Sequence, residues 1–121
     1  MSITPQLQQL SESLEGTLLY DDLHKTLYAT DASAYRIMPV AVAIPKSEED
    51  IVQIIRFAAK DKISITPRTA GTSLAGQTVG NGIIVDVSKH FTKIVAFDSA
   101  KKTVTVQPGV IRDELNLYLK E

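Results

Sequence analysis

Apolar positions along this chain recur at two periods. Leu7, Leu10 and Leu14 are spaced by three and four after Thr4-Pro5. That spacing predicts a helix, with Thr4 as N-cap, Pro5 at the first helical position and Gly16 as its stop. Val40-Ala41-Val42-Ala43-Ile44 is a continuous apolar run between two prolines. It predicts a strand buried on both faces. Ser47-Glu48-Glu49-Asp50 reads as a capping box with acids at the positive end of a helix dipole. Ile51, Ile54, Ile55, Ala58 and Ala59 supply that helix with an apolar face.

Ile63-Ser64-Ile65-Thr66 reads as the next strand, so strand, helix and strand form a βαβ unit with a right-handed crossover. Ile83 to Val87, Lys93 to Asp98 and Thr103 to Val106 predict three more strands. Asp98-Ser99-Ala100-Lys101 joins the last two as a hairpin. Ile111, Leu115, Tyr118 and Leu119 mark the face of a final helix that starts near Pro108-Gly109. Asp21 to Pro39 reads as a loop. The expected class is α+β: a βαβ unit followed by short antiparallel strands, five or six strands and three helices.

Composition narrows the chemistry. A chain of 121 residues with net charge −1, 44% hydrophobic and 22% charged, is one ordinary globular domain or part of one. That balance favours neither nucleic acid nor an acidic membrane surface. No apolar run reaches the ~20 residues of a membrane span, and the first residues do not form a signal peptide. The chain has no cysteine, which removes disulfides, thiolate catalysis and Cys-bound metal or Fe–S sites from this segment. A cytoplasmic location is expected.

The candidate site is Pro67-Arg68-Thr69-Ala70-Gly71-Thr72-Ser73-Leu74-Ala75-Gly76-Gln77. Glycines let backbone N–H groups approach an anion, and hydroxyls add donors. Arg68 carries the only full positive charge in the loop. The loop leaves a strand of a βαβ unit, where ligands often sit. It contains neither a Walker A pattern nor GxGxxG before a helix. This chemistry suits a diphosphate. A free-standing nucleotide- or anion-binding module without redox activity, and a purely structural domain, stay open from the residues alone.

The order of motifs adds a resemblance. Asp31-Ala32-Ser33-Ala34-Tyr35, Pro39 to Pro45, Ser47 to Ile51, Pro67 to Gln77 and Val106-Gln107-Pro108-Gly109-Val110 together resemble the start of a known FAD-binding domain. It belongs to the vanillyl-alcohol oxidase / p-cresol methylhydroxylase superfamily, in its glycolate oxidase and D-lactate dehydrogenase branch of FAD-linked oxidases. The resemblance implies an N-terminal helix and lead-in over 1–27 and the first part of a PCMH-type FAD-binding domain over 28–121.

It also implies an oxidoreductase in which a small 2-hydroxy acid passes hydride to the flavin. Thr69, Ala70, Gly71, Thr72 and Ser73 would be the main phosphate contacts, with Arg68, Gly76 and Gln77 beside them. Pro108 and Gly109 would lie near the adenosine half, and Asp31 and Tyr35 would be structural. The family loop is often richer in glycine where Thr69 and Ala70 stand, a difference that negative φ at both would accommodate.

No histidine lies in the loop, so the implied FAD is non-covalent. An Fe–S region and peripheral membrane attachment would belong to a longer protein. The expectation is that the segment alone has no turnover and binds FAD weakly or not at all. Its open apolar surface offers a route to a dimer.

Other residues carry less. His24 and His90 are isolated, and no metal site is expected. Asp21-Asp22 reads as a solvated turn, and Glu48, Glu49 and Asp50 as helix caps. Asp86 could bond the backbone of a neighbouring loop. Ser73 lacks a nucleophile elbow, so no catalytic residue is assigned within this segment.

Overall fold

Apolar runs pair with apolar runs. A computed structural model describes residues 2–120. Its elements in order are α1 (Thr4–Ser13), β1 (Thr17–Leu19), α2 (Asp22–Leu27), β2 (Ala41–Ile44) and α3 (Glu48–Asp61). Then come β3 (Ile65–Arg68), β4 (Ile83–Asp86), β5 (Ile94–Asp98), β6 (Thr103–Val106) and α4 (Arg112–Tyr118). Four strands form a sheet in the order β1-β2-β4-β3, while β5 and β6 form a separate hairpin. β4 runs parallel to both β2 and β3, and β1 is antiparallel to β2. The α+β class, the buried β2 and the hairpin agree with the sequence reading.

The expected βαβ unit is split. β4 lies between β2 and β3, so the two strands flanking α3 share no hydrogen bonds. Every residue of β2 and β4 is buried, as central strands require. β3, at the sheet edge, is only partly buried and tolerates Pro67.

Ala41, Ala43, Ile83 and Val85 point to one face and join Leu7, Leu10, Leu18, Ile54, Val87 and Phe91 in a single core. Val42 and Ile84 are fully buried outside that cluster, as alternation along a strand demands. α1 and β1 therefore share the core of the residues that follow them.

Several boundaries differ from the expectations. Thr4 lies inside α1, with Ile3 as an N-cap that makes no side-chain bond. Leu14 caps the other end, not Gly16. Gly16 serves close approach: a Cβ there would sit 2.2 Å from the Ile44 carbonyl oxygen. β1 and α2 lie where no element was expected. Three residues are too few to show alternation, and α2 has six, none of them buried. Asp21, read as part of a solvated turn, caps α2 by accepting the His24 N–H.

The face of α3 is narrower than its sequence spacing. Ile54 and Ala58 are buried and Ile51 and Phe57 half-buried, but Ile55 is 51% exposed and Ala59 is open. β3 begins at Ile65 because the helix ends in a left-handed turn. Lys62 has φ 54°, and the Ile63 N–H bonds back to Ala58 O at 2.9 Å. α4 has no buried residue; of its expected apolar face Leu115 is half-buried, and Ile111, Tyr118 and Leu119 are exposed.

Asp50 does more than cap. The Ser47 hydroxyl accepts the Asp50 N–H at 3.2 Å. The Asp50 carboxylate in turn accepts N–H groups from Glu15 and Gly16 at 2.8 Å and from Lys46 at 2.9 Å. It therefore ties the α1–β1 connection to the start of α3. Burial pushes its pKa up, but these backbone donors outweigh that and hold it below the usual carboxylate value.

Candidate functional site

Because β2, β3 and β4 are parallel, their carboxyl ends share one edge of the sheet. Such edges are the usual place for ligands in α/β sheets. Arg68 ends β3 and Asp86 ends β4, opposite each other in register. From β3 leaves the loop 69–82, and from β4 the segment 87–91. The Val87 N–H bonds to Arg68 O at 3.0 Å.

Pro108-Gly109 docks on the same segment: the Gly109 N–H reaches Phe91 O at 2.7 Å. A Cβ at Gly109 would meet Phe91 O at 2.6 Å and Val87 O at 2.7 Å. Arg68 to Gln77 and Pro108-Gly109 thus reach the same edge, with Val87 touching both groups.

Two glycines shape the loop. Gly71 and Gly76 have φ of 68° and 72°, which only glycine adopts without strain. Among the described residues, the non-glycine positions with positive φ are Lys62 and Lys102, so Thr69 and Ala70 keep negative φ. The Ser73 hydroxyl accepts the N–H groups of Ala75 at 3.2 Å and Gln77 at 3.3 Å, and it donates to the Gln77 side-chain oxygen. It is occupied in holding the second half of the loop.

Ser73 makes no such bonds to the first half. The N–H groups of Thr69, Ala70, Gly71, Thr72, Ser73 and Leu74 have no acceptor among the described residues. Successive backbone N–H groups in a turn are a common anion-binding element.

The loop is held from below by the segment after α2. Arg68 Nη1 donates to the carbonyls of Thr30 at 2.8 Å and of Tyr28 and Thr78 at 3.4 Å. Its guanidinium carbon lies 5.1 Å from the Tyr28 ring centroid, a cation–π distance. The Ala32 N–H donates to Gly71 O at 3.1 Å. Asp31 accepts the Thr78 hydroxyl at 3.0 Å and the Ser33 N–H at 2.8 Å. The Ser33 side chain leads the contacts that hold its carboxyl below the usual value.

Asp86 is buried. Its Oδ1 accepts the N–H and hydroxyl of Ser88 at 2.9 and 2.6 Å, and Oδ2 accepts the Tyr28 hydroxyl. The expected backbone contact of Asp86 is therefore present. Burial first, and then Asp86, push the Tyr28 hydroxyl up to about 12. Sequence reasoning missed Tyr28 and Thr78. A single arginine in an otherwise uncharged loop was the available signal, since such a cation needs acceptors nearby.

A family described as "FAD binding domain" matches residues 39–121. The chain belongs to the FAD binding domain family. Within it, the chain is 43% identical over 123 residues to D-2-hydroxyglutarate dehydrogenase of Escherichia coli (strain K12), covering 99% of this chain and 12% of that protein. It is 34% identical over 113 residues to glycolate oxidase subunit GlcD of Bacillus subtilis (strain 168), covering 90% of this chain and 24% of that one.

The solved structure of p-cresol methylhydroxylase with substrate bound shares the fold. It has a TM-score of 0.75 and 17% identity, over 98% of this FAD binding domain chain and 24% of that structure. The family and fold resemblance drawn from the motifs is thereby borne out, and this member spans a small part of the proteins it matches. No helix among its described residues is long and apolar enough to cross a membrane.

Proposed function

We propose that this chain grips the FAD diphosphate within a flavin-dependent dehydrogenase or oxidase of 2-hydroxy acids. The six unpaired N–H groups from Thr69 to Leu74 carry the reading. N–H donors bond strongly to ionised phosphate oxygens. The residues fit the group: the donors are adjacent, Gly71 bends the loop and no carboxylate lies within it. Gly76 and Gln77 hold the loop's far side, Arg68 lies at its base, and Pro108 and Gly109 border the adenosine half.

FAD, when bound, accepts the hydride of the 2-hydroxy acid. This chain binds and orients it, without a covalent link. Relatives named for D-2-hydroxyglutarate and glycolate support that substrate class. Residues 28–121 form the cofactor-holding unit, and 1–27 support it by packing into its core. The proposal includes a cytoplasmic location, with peripheral membrane contact. Self-association uses the open side chains of Val95, Phe97 and Leu117; light scattering that shows a monomer removes that part.

The test is titration of the full-length polypeptide with FAD and with ADP. FAD binding well above ADP supports the reading, whereas equal affinity favours a nucleotide module without redox chemistry. Loss of the flavin's visible absorbance on adding D-2-hydroxyglutarate, glycolate or D-lactate without oxygen tests the substrate class. If none of the three acids bleaches it, the substrate assignment fails.

A further inference from the structure

From the sequence, Arg68 is the cation that meets the diphosphate. Its surroundings point elsewhere. We infer that Arg68 is a positioning residue, a clasp that sets the curvature of the N–H row without touching the phosphates. The inference rests on the reading of that row as the FAD cradle.

One nitrogen of Arg68, Nη1, reaches carbonyls on two separate segments, Tyr28 and Thr30 between α2 and β2 and Thr78 on the returning arm of the loop. The guanidinium lies against the Tyr28 ring on one side. Gly71 also lies close to it, where an added Cβ would stand 2.5 Å from Nη2 and 2.8 Å from Nε. The outgoing arm, the returning arm and the segment from Tyr28 to Thr30 therefore meet on one planar group.

Gly71 is matched to this arrangement twice, by its missing side chain and by its φ of 68°. A planar fork supplies donors and stacking surface together; an ammonium supplies charge without the plane. The Tyr28 ring and the bare backbone of Gly71 both fit the planar group, which an ammonium would not fill.

The experiment measures FAD dissociation constants by flavin fluorescence for the full-length polypeptide over a range of salt concentrations. Wild type, Arg68→Lys, Arg68→Gln, Tyr28→Phe and Tyr28→Leu are compared. The clasp predicts that Arg68→Lys weakens FAD at least about tenfold and nearly as much as Arg68→Gln, with the wild-type salt dependence. Tyr28→Leu, which removes no charge, weakens it at least about threefold beyond Tyr28→Phe, which loses only the hydroxyl bonded to Asp86.

Rescue to within about twofold of wild type by lysine, with a flatter salt dependence in Arg68→Gln, overturns the inference in favour of direct contact. If Arg68→Lys does not fold, Tyr28→Leu decides, and affinity within about twofold of Tyr28→Phe overturns the clasp. Failure of the wild type itself to bind FAD overturns the cradle reading and the clasp with it.

Discussion

The Tyr28 hydroxyl donates to the carboxylate of Asp86 across 58 residues of sequence. It joins the segment after α2 to the carboxyl end of β4, at the sheet edge where the candidate loop also starts. Arg68 touches the same tyrosine from the adjacent strand, so ring and hydroxyl serve two neighbours at once.

Tyr28→Phe keeps the ring and removes the hydroxyl. A hydrogen bond to a charged partner is worth about 1.5–3 kcal/mol, so the variant should lose about that much stability. The hydroxyl's pKa is raised from 10.0 to about 12 on folding. Its contribution is therefore complete below pH 10.0 and declines as pH rises through about 12. Urea unfolding of both proteins at several pH values checks this. The gap between them should be constant near neutrality and narrow at alkaline pH.

Asp50→Asn removes a buried carboxylate that holds three backbone N–H groups. The amide offers one acceptor oxygen and turns its own donors toward other donors. A stability loss of about 3 kcal/mol is expected. Because the native pKa is depressed, the stabilisation is complete above the ordinary value of 3.8 and disappears as pH falls below it. Acid unfolding followed by circular dichroism should show the two proteins converging at low pH.

The narrow face of α3 separates two adjacent isoleucines. Ile54 is 1% exposed and Ile55 is 51% exposed. Ile54→Ala should cost about 2–5 kcal/mol through lost burial and a cavity. Ile55→Ala should stay within about 0.5 kcal/mol of wild type. Denaturant midpoints of the two variants distinguish this from the broader face implied by spacing.

Gly82 and Gly80 stand at the return of the loop into β4. A Cβ at Gly82 would lie 2.0 Å from the Ser64 backbone oxygen, whereas one at Gly80 meets the Thr66 hydroxyl oxygen at 2.6 Å. The hydroxyl can rotate away; the strand carbonyl cannot. Gly82→Ala should lose about 1–3 kcal/mol or more, and Gly80→Ala clearly less, in thermal or denaturant melts.

Legibility followed the range of the interaction. The apolar run of β2, the Ser47 cap and the β5–β6 hairpin depend on neighbours a few residues away, and each is where the sequence placed it. The loop's chemistry was also visible, because glycine, hydroxyl content and lack of charge are local properties. β1 was not visible: three residues have no period, and it exists because β2 offers an open edge. Nor was the open Ile55, since the helix's own period does not reveal how much of its surface a partner covers.

By itself the sequence determined the α+β class, the strand–helix–strand order, the family and the loop suited to an anion. Those follow from short-range periodicity, capping and motif order. Tertiary structure alone decided that β4 would separate β2 from β3, that Asp50 would tie two helices' termini together and that Arg68 would face carbonyls. Each depends on groups far apart in the chain, and local pattern carries no information about which distant acceptor a donor will meet.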